Sequence, residues 1–512
     1  MRTVRSLTAG LVLAISVPFG FAQAGIGPIR HSVPSANQRV GTPATRIAAG
    51  FSLKTLAVGT DPLENPSARI VQFGLLSDGT RTEPDENLYL VLSHPGGPTA
   101  GYNYGHHFLF QGHENGGGLA YVTRINLDVA DPAHRITLLT PEGSDGLTHF
   151  SSIDGSTYDP FTHTLLFTQE AGSAGGVIQI SATWPPVVTP MDGILGKGGY
   201  EGIHPDDRGS LLIVEDAGGT SVNVNPADPG SPKTARQPNS FVYRFVPYDK
   251  TDLSQGGKLQ ALQVSIDGQP VIFNAGDPLG DTFSLKQLQL HTPGTSYPVK
   301  WVTIHDTAVD GTDSFSANAA AKTAGATPFK RPENGAFLPG SGYRTFFFDP
   351  TADTDADAGN TPELAARGSW GSIFRVDLNE NRNRGKISIF VLGDADHASF
   401  DNLTFANANT LLAAEDRGDA LHLQLNKLDS VWAFSLSGKS DKRLIALGRD
   451  ATSVAGGEDN EPTGLHVSNG SPLPFAQPGS LLNLLGARGF VTRQHGDNVV
   501  WGIVRNDDRN ND

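Results

Sequence analysis

The chain has no cysteine among its 512 residues, only two methionines and five tryptophans. Without cysteine, no disulfide can staple the fold and no thiolate can ligate a metal. Cohesion must come from burial, or from cations held by oxygen ligands. Long apolar runs are also scarce. Leu7–Phe21 is too short to span a bilayer comfortably, and no second long run follows it. Positive charge is outnumbered, with 38 Lys and Arg against 53 Asp and Glu and a formal net charge of −15. That balance excludes nucleic acid and anionic membrane as partners of the whole surface. There is no HExxH, no GxSxG elbow, no Walker loop and no GxGxxG after a strand.

What is present begins with an export signal. Arg2 and Arg5 precede the apolar run, and Ala22-Gln23-Ala24 supplies the small-x-small pattern of a cleavage site. Residues 1–24 therefore read as a signal peptide, with an uncleaved anchor as the alternative. The mature protein is expected in the periplasm or the medium, without membrane insertion, and as a monomer. Residues 25–59 show no clear strand pattern and read as an N-terminal arm.

Sixty glycines and 34 prolines imply many turns and short strands. Within residues 60–512 a unit recurs: an apolar strand ending in polar or acidic residues, a turn, then a second strand. Examples are Leu165–Glu170 before Val177–Ile180, Leu211–Asp216 before Phe241–Phe245, and Leu411–Asp416 before Val431–Phe434. Tyr200–Ile203, Phe400–Leu403 and Pro462–Leu465 supply a further upstream strand. Repetition of a multi-stranded unit is the propeller signature. The expected fold is all-β, a six-bladed β-propeller with large loop insertions; a β-sandwich is the alternative. Residues 247–340 read as the main insertion, with a helix around Ala317–Ala324.

In a propeller, equivalent positions point toward a common axis. The acids Glu114, Glu170, Glu201, Glu215, Asp216, Glu415, Asp416 and Glu461, though distant in sequence, can converge there. Converging carboxylates repel one another unless a cation compensates, and hard oxygen ligands suit calcium. The alternative is that these acids merely end strands in solvated turns. Arg331 and Glu333 flank Pro332, and Arg417 follows Glu415-Asp416; an arginine fork matches phosphate, and a neighbouring glutamate can hold a metal sharing that anion. His113-Glu114 is a candidate transition-metal pair. His106-His107 lies nearby, and Asp353, Asp355 and Asp357 form an acidic loop that lacks an EF-hand's glycine and terminal glutamate.

These landmarks, taken in order, resemble the PhoX-type alkaline phosphatase family from about Leu88 to Gly470. They are His113-Glu114, Thr168–Glu170, Tyr200-Glu201, Glu215-Asp216, Arg331–Glu333, Asp401-Asn402, Glu415-Asp416 and Glu461–Gly464. The resemblance implies a six-bladed propeller, several calcium ions and an iron-containing centre acting on phosphate esters. It implies metal ligation by the acids and phosphate contact by Arg331. The family places a cysteine iron ligand where this chain has Gln169. A neutral amide does not replace a thiolate on iron, which favours calcium over iron or a loss of activity.

The expected function is thus a secreted, metal-dependent phosphoesterase acting on a small phosphorylated or other anionic substrate. Glu114, Glu170, Glu201, Glu215, Glu333, Glu415, Asp416 and Glu461 would hold metal, with Arg331 and Arg417 on the phosphate. The rival readings are a non-catalytic, calcium-stabilised propeller that binds a ligand or partner, and a calcium-dependent lactonase.

Overall fold

The computed structural model describes residues 25–33, 38–39, 44–437, 441–448 and 461–506. The signal-peptide reading of residues 1–24 falls outside them. Six strands organise the rest: β1 (Glu83–Val91), β2 (Ile153–Asp159), β3 (Tyr200–Pro205), β4 (Pro332–Phe337), β5 (Phe400–Asn407) and β6 (Pro462–Ser468). Each is the innermost strand of an antiparallel meander of four. β1, for example, leads through His107–Glu114 and Tyr121–Asn126 to Ile136–Leu138. Neighbours pack in sequence order, and β6 closes the cycle against β1. The all-β, propeller-like architecture is as expected.

The second strands show why these units form. Leu165-Leu166-Phe167, Leu211–Val214, Phe346–Phe348 and Leu411–Ala414 are continuous apolar runs, not alternating ones, and all are buried. A sheet covered on both faces requires that pattern. The core is accordingly divided into layers between units. Leu88, Phe108 and Phe110 of the first unit interleave with Leu165, Phe167 and Ile178 of the second. Tyr89 and Leu109 pack on Phe490 and Val500 of the sixth.

Two boundaries differ from the sequence reading. The stretch before Thr60 is not only an arm. Phe51–Ala57 pairs with Val500–Arg505 and becomes the fourth strand of the last unit, while Arg46-Ile47 adds to Asp441–Ala446 of the fifth. A single short strand paired far along the chain leaves no local repeat to recognise. The insertion at 247–340 is also narrower than expected. Gly257–Ile266 is the fourth strand of the third unit, and β4 begins at Pro332. Tyr297–Asp306 bonds to both Gly257–Ile266 and Arg384–Leu392, joining the third and fourth units into one ten-stranded sheet. The expected helix is present as Ala317–Thr323, capped by the Ser316 side chain. Among the described residues no helix is long and apolar enough to cross a membrane.

Candidate metal centre

The innermost strands share a local irregularity. In each, the register with the second strand slips near the strand entrance, after Pro84, Ile153, Tyr200, Pro332, Phe400 and Thr463. A β-bulge re-aims side chains that strict alternation would place on a face of the sheet. The residue after the slip begins is acidic in five units: Asp85, Asp154, Glu201, Glu333 and Asp401. In the sixth the slip begins after Thr463, the next residue is Gly464, and the acid is Glu461 instead. The ends of the second strands add Glu114, Glu170, Asp216 and Asp416.

These carboxylates converge. One oxygen each from Asp85, Glu114 and Asp154 lies within 4.8 Å of the others, and so do oxygens of Asp154, Glu170 and Glu201. Asp154 therefore joins two adjacent groups able to hold a metal ion. Burial, then mutual repulsion, pushes Asp85, Glu114, Asp154, Glu201 and Glu461 well above the usual carboxylate range, and Glu170 up to about 8. Glu333 is raised by burial and Asp216, although Arg331 opposes this. Glu201 Oε1 and Asp216 Oδ1 are buried with no hydrogen-bond partner among the described residues. Buried acceptors normally find a partner, so orphaned carboxylate oxygens in a shared cluster fit a bound cation. Above the cluster opens a cavity of about 530 Å³ lined by Arg81, Glu114, Glu170, Asp416, Glu461 and His495 among others.

Arg331 enters this anionic field. Its Nε donates to Asp216 Oδ2 at 2.7 Å, and Nη2 lies 3.3 Å from Glu333 Oε1. Burial works to lower its pKa, but Asp216 and Glu333 outweigh that and raise it. Its backbone has φ of 54°, a left-handed conformation that costs a non-glycine residue about 1–3 kcal/mol.

Of the acids and arginines singled out in the sequence, Glu114, Glu170, Glu201, Asp216, Glu333, Asp416, Glu461 and Arg331 come together here. Three do not. Glu215, expected as a ligand, accepts from Tyr243 Oη at 2.7 Å, Asn318 Nδ2 at 3.0 Å and Phe241 N at 3.2 Å. Burial raises it to about 7 against those bonds. Glu415, another expected ligand, accepts from Arg417 Nη2 at 2.7 Å, and from the amides of Ala398 and Ser430 at 3.0 Å. Arg417, expected on phosphate, is fully buried; besides Glu415 it donates to the carbonyls of Ala395 and Asp396 and lies 3.6 Å from Asp429. Each is consumed inside its blade, because consecutive strand residues point opposite ways and only the second of each pair reaches the axis.

His113, expected as half of a transition-metal pair, has both ring nitrogens engaged by threonines, Thr82 and Thr123. It is wholly buried and stacks on Tyr121. His107 pairs with Asp128 at the surface. Asp353 is buried against Lys330, and Asp355 caps a short helix, so the acidic loop does not gather around an ion. Asp85 and Asp154 were missed. The available signal was the likeness of Ile153-Asp154-Gly155 to Tyr200-Glu201-Gly202 at two strand entrances. The donors are carboxylates with amide neighbours such as Gln494, which donates to Asp85 at 2.8 Å and Glu114 at 2.9 Å. Such a set fits a hard cation. It does not fit sulfur-ligated iron, and Gln169 Oε1 accepts from the Ser151 amide.

Known proteins can now be set beside this geometry. No curated protein matches the chain in sequence. Among solved structures it is similar to Pseudomonas fluorescens PhoX in complex with vanadate, a transition state analogue. That match is 13% identical, covers 94% of this chain and 98% of that chain, and has a TM-score of 0.57. Weaker matches are a GH74 xyloglucanase from Xanthomonas campestris (14% identity, 88% and 55% coverage, TM-score 0.34) and the PQQ domain of pyranose dehydrogenase from Coprinopsis cinerea (11%, 93% and 100%, TM-score 0.32). Residues 221–443, which include Arg331, Glu333 and Asp401, match the family model Alkaline phosphatase PhoX, so the resemblance read from the sequence holds over that stretch, and over 94% of its length the chain shares the fold of the Pseudomonas fluorescens protein.

Proposed function

We propose that the axial carboxylates hold calcium and that the chain hydrolyses phosphate monoesters at that centre, after export to the periplasm or medium. The observation that carries the reading is Arg331, a fixed cation between Asp216 and Glu333 at the edge of the carboxylate cluster. A cluster of acids alone would repel a phosphoryl group. Asp85, Glu114, Asp154, Glu170, Glu201, Glu333, Asp401, Asp416 and Glu461 would bind the cations. When bound, calcium supplies positive charge that polarises phosphoryl oxygens and acidifies a water.

The chain's own part is orientation. Asp216 and Glu333 hold the Arg331 fork so that the planar guanidinium can pair with two phosphoryl oxygens. A cation fixed in a buried site stabilises developing phosphoryl charge without needing to reorganise. Arg81, which lines the cavity, tempers the negative field through which an anion must pass. The substrate is a small phosphorylated compound and the working unit a monomer. Gln169 in place of the family cysteine supports a second reading, a calcium-stabilised propeller that binds without turnover. Hydrolysis of a simple aryl phosphate, measured before and after chelation, separates them. Calcium-restored turnover supports the phosphatase; calcium-dependent melting with no turnover supports the binding protein.

A further inference from the structure

Lys330 and Asp353 form an ion pair that the centre itself does not use. Lys330 Nζ lies 2.7 Å from Asp353 Oδ2 and 3.4 Å from Ser369 Oγ, and both paired side chains are buried, at 5% and 0% exposure. Asp353 Oδ1 also accepts from the Arg236 amide at 2.8 Å. An isolated buried pair of this kind is weak evidence for stability, because desolvation cancels much of the attraction. Its place in the chain suggests another role. Lys330 immediately precedes Arg331, whose backbone is left-handed.

The chain is gripped on both sides of Arg331. Upstream, Phe329 exchanges backbone bonds with Ser240: its amide donates at 2.8 Å and its carbonyl accepts at 3.1 Å. Across the strand entrance, the Thr351 amide donates to the Arg331 carbonyl at 2.8 Å and the Ala352 amide to the Lys330 carbonyl at 3.2 Å. The facing segment is itself in a sparsely populated conformation, with Ala352 at φ 74° and Thr354 at φ 46°. Two facing left-handed segments persist only when their surroundings over-determine them. The Lys330–Asp353 pair is the side-chain tie between them.

We propose that Lys330 and Asp353 are positioning residues for anion recognition: their buried pair locks the backbone so that Arg331 projects its guanidinium to Asp216 and Glu333. The inference rests on the reading of Arg331 as the phosphate contact. Removing the pair should therefore weaken phosphate binding through Arg331 while leaving the carboxylates and their cation in place.

The test compares the calcium-loaded wild type with Arg331→Ala, the apolar double variant Lys330→Met/Asp353→Leu, and the combination of all three. Inorganic phosphate affinity is read by calorimetry and bound calcium by elemental analysis. The double variant should bind phosphate at least about tenfold more weakly with unchanged calcium, and adding Arg331→Ala should then change little, since residues acting through one group are not additive. The proposal is overturned if the double variant binds phosphate within twofold of wild type, or if the two losses multiply. Asp353→Asn, which keeps the side chain's shape, decides by the same comparison with Arg331→Ala if the double variant does not fold. Should Arg331→Ala itself leave phosphate affinity unchanged, the reading of Arg331 has failed, and the positioning role falls with it.

Discussion

Glu215-Asp216 and Glu415-Asp416 occupy equivalent places in two blades and look identical in sequence, yet within each pair the two carboxylates have opposite fates. The first acid turns into the blade. Glu215 is held by Tyr243, Asn318 and Phe241, and Glu415 by Arg417, Ala398 and Ser430. The second acid turns toward the axis. Asp216 meets Arg331, and Asp416 lines the mouth cavity with Glu170 and Glu461. Adjacent carboxylates thus become a structural bond and a candidate cation ligand, because the period of a strand is two. Charge alone does not identify a site; the direction in which the strand delivers it does.

The sharpest way to test this contrast is to remove one arginine from each class. Arg331→Ala should lower phosphatase turnover by about 10²–10³-fold, as loss of one fixed electrostatic contact does, in a protein that still binds calcium. Arg417→Ala should instead lower stability. It leaves Glu415 buried and uncompensated, at a cost of about 3–5 kcal/mol by chemical denaturation, while calcium content in the folded fraction stays the same. Next comes Asp154→Asn, which touches both three-carboxylate groups and should weaken calcium binding by at least about tenfold, on the order of 1.4 kcal/mol. Calcium titration of the chelated variant checks this. Equal affinity would show that those groups do not hold the ion.

A pH measurement sharpens the comparison further. Glu215 is raised to about 7 from an ordinary 4.5, so the folded state favours its protonated form. That contribution is fully present below pH 4.5 and is lost as the pH rises through about 7. Glu215→Gln should flatten the fall in stability across this window by an amount on the order of 3 kcal/mol. In the chelated protein the axial acids act with the same sign, and Glu170 extends the loss through about pH 8. Calcium should remove that slope, whereas it should leave the Glu215 contribution untouched. The smallest effect belongs to Asp357→Ala in the half-exposed acidic loop, expected within about 0.5 kcal/mol. A large loss of calcium there would revive the loop as an ion site.

Much of the fold was legible because burial on both faces writes apolar runs such as Leu211–Val214 and Leu411–Ala414 directly into the sequence. The repeated strand–turn–strand unit followed from them, and so did the convergence of Glu114, Glu170, Glu201, Asp216, Asp416 and Glu461. What was not legible depends on geometry that no local pattern encodes. Phe51–Ala57 acquires its role by pairing with Val500–Arg505, hundreds of residues away. Asp85 and Asp154 acquire theirs from bulges that re-aim them. Glu215, Glu415 and Arg417 were misread because strand direction, and hence which of two neighbours faces the axis, is set by the register of the whole sheet.

The most direct test is the hydrolysis of a phosphate monoester by the chelated protein as calcium is returned. The account predicts turnover that rises saturably with calcium in the wild type and stays at least about a hundredfold lower in Arg331→Ala at equal calcium content. Calcium that binds to the axial acids without any turnover, or turnover that Arg331→Ala leaves intact, would contradict it.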